Sequence, residues 1–276
     1  GVIIPDKFME LAEKDEPYYV FHAHTVFLEY GKYLDDLDMN EMYEELIDNP
    51  NVKKRKLNAR HMLVKIAQTQ KESGYPYLFF KDNANRDHAL KDIGEVKFSN
   101  LCTEIMQLSE VSDMGTYYEE DTIRRGISCN LGSLNIVAVM ENKRIKESVK
   151  AAMESLTIVS DLTNIDMVPS IKKANEELHS VGLGAMNLHG FFAKNFIMYE
   201  SREALDFCNV FFMTVNYYSI EKSMEIARDR KVTFKKKKKS EYAKGTYFDK
   251  YTETEYLPKT EKVKELFEGM HIPTKE

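Results

Sequence analysis

Ser99-Asn100-Leu101-Cys102-Thr103-Glu104-Ile105 is the most informative stretch of this chain. In an extended segment, side chains at i, i+2 and i+4 point the same way. That reading puts Asn100, Cys102 and Glu104 on one face and Leu101, Thr103 and Ile105 on the other. One face then carries an amide, a thiol and a carboxylate. Such a set can hold a reactive sulfur beside a proton acceptor and a group that orients hydroxyls. On residue types alone a second reading stands beside it: a cysteine among Leu and Ile also suits a small packing role, with Glu104 at the surface or capping.

Upstream of this stretch, Val2-Ile3-Ile4 reads as a strand entered midway. Asp38 is placed to cap a helix that stops at Asp48-Asn49-Pro50. Asn58 opens another, with Met62, Leu63, Ile66 and Ala67 at helical spacing and Gly74 as its C-terminal stop. Tyr77-Leu78-Phe79-Phe80 reads as a short buried strand. Downstream, an acidic loop runs to Asp121, and Ile127 to Val139 reads as a loop or bulge around Gly132 leading into a strand. A helix is expected from Lys146 to Asn164, with Val149, Met153, Leu156, Ile158 and Leu162 as its apolar residues. Val181-Gly182-Leu183-Gly184-Ala185-Met186 reads as a glycine-containing turn entering a helix. Ser201 starts the longest helix, ending near Arg230. The alternation of elements makes the fold class α/β, helix-rich.

The composition, 43% apolar and 30% charged over 276 residues, is that of an ordinary globular chain. No run approaches the roughly 18 apolar residues of a membrane-spanning helix, and no secretory leader is visible in Gly1-Val2-Ile3-Ile4-Pro5. The net charge of −6 gives no reason to expect a nucleic-acid surface over the whole domain. Three cysteines, at 102, 129 and 208, form no C-x-x-C pair. That odd, sparse set fits a reducing cytoplasm better than a disulfide framework, and no paired Cys/His spacing suggests zinc. His22 and His24 in their aromatic-rich stretch are read as packing or exposed groups rather than metal ligands. Lys235 to Lys239 is an uninterrupted lysine run, read as a solvated loop.

The segment SNLCTEI at 99–105, followed by ISCNLGSLN at 127–135, resembles the two active-site signatures of ribonucleotide reductase catalytic subunits. ESGYPYLFFKDNANRDHAL at 72–90, SVGLGAMNLHGF at 180–191 and SEYAKGTYFDKY at 240–251 are similar to the same family. The likeness therefore runs through nearly the whole chain, and its wording is most like class Ib. It implies a fold that is part of a ten-stranded α/β barrel, with a central finger loop carrying Cys102. Residues 1–276 would then be one partial barrel domain.

The resemblance also implies roles. Cys102 matches the cysteine that becomes a thiyl radical and removes the 3′ hydrogen of the ribose. Glu104 matches the carboxylate that takes the 3′-OH proton, easing loss of the 2′-OH. Asn100 matches the amide that hydrogen-bonds the sugar hydroxyls, and Ser99 to Glu104 as a whole, with Leu101 and Thr103, would touch the substrate. Cys129 matches one of two redox cysteines, since a dithiol can store two electrons as a disulfide. Its partner is expected outside residues 1–276, as are the effector-binding region, the phosphate-binding segment and the C-terminal thiol pair.

The implied reaction is reduction of ribonucleoside diphosphates for DNA precursor synthesis in the cytoplasm. It implies no metal or cofactor held by this segment. The implied partners are a small subunit whose manganese or iron pair supplies the radical, a thioredoxin- or glutaredoxin-like dithiol, and complementary or second catalytic-subunit segments. No nucleic acid or membrane is among the expected partners. An alternative expectation is a non-catalytic fragment that only binds reductase subunits. Cys208 has no such match and, with Leu205, Phe211, Phe212 and Val215 at core spacing, is read as packing. Tyr217-Tyr218 is not read as a radical relay, because the family's tyrosine pair belongs to a segment beyond residue 276.

Overall fold

Val2–Ile3 (β1) lies parallel to Leu78–Phe79 (β4), Val2 opposite Leu78 and Ile3 opposite Phe79. The computed structural model describes residues 1–163, 165–249, 251 and 256–274, which divide into units Gly1–Val111 and Ser112–Glu276. In the first unit, Asp6–Glu13 (α1), Pro17–Phe21 (β2), Ala23–Tyr30 (α2), Met39–Asp48 (α3), Lys54–Asn58 (β3) and Ala59–Ser73 (α4) separate β1 from β4, and Lys81–Asp87 (α5) follows. β2 and β3 pair antiparallel.

The caps expected from sequence form. The Asp38 side chain accepts from Asn40 N, the Asn58 side chain accepts from His61 N, and Gly74 ends α4 at φ 77°. Ile4, Phe8, Leu11, Ala12, Tyr43 and Ala59 make one core cluster. Tyr43 is buried yet satisfied, because its hydroxyl accepts from Tyr19 N at 2.7 Å. Loss of water pushes the Tyr18 phenol beside it up to about 12, with Tyr43 adding to the effect.

The second unit runs through Leu131–Asn135 (β5), Ile136–Glu141 (α6), Ile145–Leu162 (α7), Pro169–Leu178 (α8), Gly182–Met186 (β6), Leu188–Lys194 (α9), Arg202–Arg230 (α10), Glu241–Lys244 (α11) and Glu261–Leu266 (α12). β5 and β6 are parallel, Leu131 opposite Gly182 and Asn135 opposite Met186. α7 packs on α10, where Lys150 is gripped by Glu221 and Glu225 at 2.6 Å each. Phe191, Phe192, Phe207 and Phe211 form an aromatic core, with Phe191 and Phe207 stacked at 4.5 Å. Burying one such ring is worth about 1.5–3 kcal/mol, so these four contribute strongly to the unit's core. Buried Asp206 accepts from Lys259 N, Thr260 N and the Thr260 hydroxyl, which ties the start of α12 to α10.

Three readings from sequence are corrected. Ile136 to Val139 is helix rather than strand, because Asn135 caps it by accepting from Ala138 N. Gly182–Met186 is the strand β6 and not a turn. Ile158 and Leu162 of α7 face outward, 45% and 80% exposed, while Val149, Met153 and Leu156 face the core. The expected helix end at Asn164 lies outside the described residues. α10 starts at its Ser201 cap and runs to Arg230 as expected, although Leu205 and Phe212 on it are exposed.

Candidate active site

Phe98 and Ser99 lead into the cysteine loop from an anchored base. Phe98 packs edge-on against Phe79 of β4 at 5.6 Å, and Ser99 is buried. Asn85 on α5 pairs with the backbone of Val96 through both its amide nitrogen (3.0 Å) and its oxygen (2.8 Å). On the far side Gln107 and Leu108 are buried again. The loop between is thus held at both ends while its tip is exposed.

The tip is a turn, which corrects the extended reading. Thr103 N donates to Asn100 O at 3.2 Å, and Thr103 has φ 68°. A left-handed residue reverses the chain and breaks the alternation of faces, so Leu101 points out (84% exposed) instead of forming an apolar back. The amide and carboxylate still meet, by a different route. Asn100 Nδ2 donates to Glu104 Oε1 at 2.7 Å, and Asn100 Oδ1 accepts from Ile105 N at 3.1 Å. One side chain therefore closes the turn and orients the carboxylate. Cys102 lies between the two at the exposed apex. The Thr103 hydroxyl is buried without a hydrogen-bond partner among the described residues, a local cost of about 1–3 kcal/mol.

Tyr77 completes this group and was not singled out from sequence. Its phenol is pushed above the ordinary value, first by Tyr75 beside it, then by loss of water, and further by the charges that Cys102 and Glu104 can carry. The thiol and the carboxylate of the turn therefore both act on this one phenol. The signal was there in outline. Tyr75, Tyr77 and Phe79 alternate along one stretch, and Phe79 packs on the residue that opens the loop.

Cys129, in the second unit, is exposed two residues before β5. The approach to it is fixed from α8: Lys173 Nζ donates to Ile123 O at 2.6 Å, and Gly126 N donates to Ser170 O at 2.9 Å. The exit is fixed from α7 and β6, with Asn130 Nδ2 donating to Leu156 O and Gly182 N donating to Asn130 O, each at 2.8 Å. Cys208 packs beside the aromatic core, and burial pushes its thiol up. Tyr218 is buried with its hydroxyl against His271 Nδ1 at 2.7 Å, a packing arrangement. His22 and His24 are exposed, and among the described residues no group of three or more His, Cys, Asp or Glu could hold a metal ion. Among the described residues, no helix is long and apolar enough to cross a membrane.

The family model for the barrel domain of ribonucleotide reductase matches residues 1–271. The chain belongs to the ribonucleotide reductase family. The ribonucleoside-diphosphate reductase subunit alpha of Bacillus subtilis (strain 168) is 56% identical over 276 residues, covering 100% of this chain and 39% of that protein. The same subunit of Mycoplasma pneumoniae is 45% identical over 282 residues, again 39% of its length. A solved structure, the class Id ribonucleotide reductase alpha subunit of Actinobacillus ureae, superposes with a TM-score of 0.51 at 25% identity, covering 74% of this chain and 36% of that one. The chain thus spans about two fifths of the length of the reductase subunits it matches. The expected fold, part of the reductase α/β barrel, is borne out, with six strands among the described residues.

Proposed function

We propose that this chain is the portion of a ribonucleoside-diphosphate reductase catalytic subunit that carries the substrate-radical chemistry. The observation that supports it is the turn in which Asn100 holds Glu104 beside the exposed thiol of Cys102. Cys102, as a thiyl radical, takes the 3′ hydrogen of the ribose. Glu104 accepts the 3′-OH proton, and Asn100 fixes the sugar hydroxyls. A carboxylate already holding one amide proton keeps lone pairs for a substrate hydroxyl. Ser99, Leu101 and Thr103 line the same turn and complete the substrate contact.

Cys129 supplies reducing equivalents together with a cysteine outside residues 1–276. The radical comes from a separate small subunit bearing a manganese or iron pair, and a thioredoxin- or glutaredoxin-like dithiol resets the cysteines. Residues 1–276 act as part of one barrel domain completed by the remaining segments, in a class Ib enzyme of the cytoplasm. The test is reconstitution: the complete subunit with its radical partner and dithiol reduces ribonucleoside diphosphates, and Cys102→Ser does not. Full turnover by that variant removes the reading.

A further inference from the structure

Arg125 is 4% exposed, four residues before Cys129, and its Nη1 lies 3.7 Å from Glu177 Oε2 on α8. Glu177 is itself largely buried and is shared with Lys235, whose Nζ reaches Oε1 at 2.8 Å and whose backbone N donates to Glu177 O at 2.7 Å. Burial alone would raise the Glu177 carboxyl, but Lys235, Arg125 and Lys173 outweigh it and hold it below its ordinary value. A buried ion pair is a poor device for stability, because desolvation offsets most of its attraction. What it does provide is a fixed direction.

The neighbouring contacts share that purpose. Gly126 lies so close to α8 that an added Cβ would come within 2.9 Å of Ile171 Cδ1. With the Lys173–Ile123 and Gly126–Ser170 bonds, the stretch 123–126 is pinned to α8 at both ends, and Asn130 is pinned on the other side. Residues 127–129 span the gap between these two clamps, and the thiol sits at the end of that span. We propose that Arg125, through Glu177 on α8, is a positioning residue that aims the Cys129 sulfur for disulfide closure. This rests on the redox role proposed above for Cys129. Closure forms one S–S bond from two thiols. It delivers two electrons and two protons to the nucleotide, whose 2′-hydroxyl leaves as water. A disulfide forms only when the two Cα atoms stand within about 4.4–6.8 Å in a narrow range of dihedral angles. A shift of about 1 Å in the approach therefore slows the step without altering nucleotide binding.

The experiment uses the complete subunit with its radical-bearing partner, in single turnover without external dithiol, followed by thiol mapping, and in steady state. Arg125→Met is expected to slow closure and lower kcat on the order of ten- to hundred-fold, with KM for the nucleotide unchanged. Arg125→Lys, which keeps the charge facing Glu177, recovers part of the rate, a response that lost packing alone does not give. If Arg125→Met does not fold, Glu177→Gln carries the test and is expected to move closure in the same direction. Closure at the wild-type rate in the folded variant overturns the proposal. Cys129→Ser separates the two ideas: if it turns over normally, the redox reading of Cys129 is wrong. If it is inactive while Arg125→Met closes at full speed, only the positioning role falls.

Discussion

Asn100 and Glu104 are joined, Nδ2 to Oε1 at 2.7 Å, across the turn whose apex is Cys102. The carboxylate is held by a neighbour four residues away. Glu104→Gln keeps size and the ability to accept from Asn100, but it loses basicity. Turnover of the complete subunit is expected to fall about 100-fold or more, with substrate affinity little changed. Steady-state kinetics with a parallel equilibrium binding measurement checks this; near-normal turnover contradicts the role given to the carboxylate.

Asn100→Ala removes the turn's internal brace and leaves Ile105 N without its acceptor. Both KM and kcat are expected to worsen, unlike the Glu104 variant, because the proposed sugar contact and the carboxylate's orientation are lost together. A change confined to KM would mean that Asn100 does not orient Glu104.

Thr103 is a β-branched residue at φ 68° whose buried hydroxyl has no hydrogen-bond partner among the described residues. Glycine accepts that backbone without strain, so Thr103→Gly is expected to leave stability equal or up to about 1 kcal/mol higher. The gain in freedom loosens the turn, and turnover should drop even so. Urea unfolding read alongside kcat decides it, and a variant losing both stability and activity would show that Thr103 is not strained.

Lys236 sits at φ 63° inside the lysine run, where no carboxylate offsets the cost by pairing with it among the described residues. Lys236→Gly is expected to raise stability by about 0.5–1 kcal/mol, visible as a higher urea midpoint at constant slope. A lower midpoint would mean that the lysine side chain contributes more than its backbone costs.

Cys208 has its thiol pushed up by burial, whereas Cys102 and Cys129 are exposed. Iodoacetamide at pH 8 should label positions 102 and 129 first, because only the thiolate reacts and Cys208 is both shielded and less ionised. Raising the pH should keep accelerating Cys208 beyond the range in which free cysteine levels off. The same shift makes folding bind this proton more tightly, so its contribution to stability is present at neutral pH and fades as pH climbs through the raised value. Peptide mapping by mass spectrometry shows the order, and early labelling of Cys208 would place it outside the core.

The helices were legible in the chain because their signals are local. Asp38, Asn58, Gly74 and Ser201 each stop or start a helix through one or two nearby hydrogen bonds. β6 was not legible, because its glycines resemble a turn until β5 is placed beside it. Gly182 stands opposite Leu131, whose Cδ2 would lie 2.5 Å from an added Cβ, so the space a glycine leaves there is filled by a side chain 51 residues distant. The site residues were readable as types and not as geometry. Alternation rests on an extended backbone, and Thr103 departs from it in a way that residue type alone argues against. Arg125 and Tyr77 escaped notice because their importance comes from partners far along the sequence or across a loop.

The turn from Asn100 to Glu104 has one more consequence. Its amide, sulfur and carboxylate come from five consecutive residues tied by their own bonds, so their mutual spacing is written into a short peptide cassette. The surrounding architecture then governs where the cassette points, through Phe98 and Leu108 at its base, while its internal spacing stays constant. On the function proposed above, substitutions elsewhere retune which substrate reaches the sulfur without rebuilding the cassette itself.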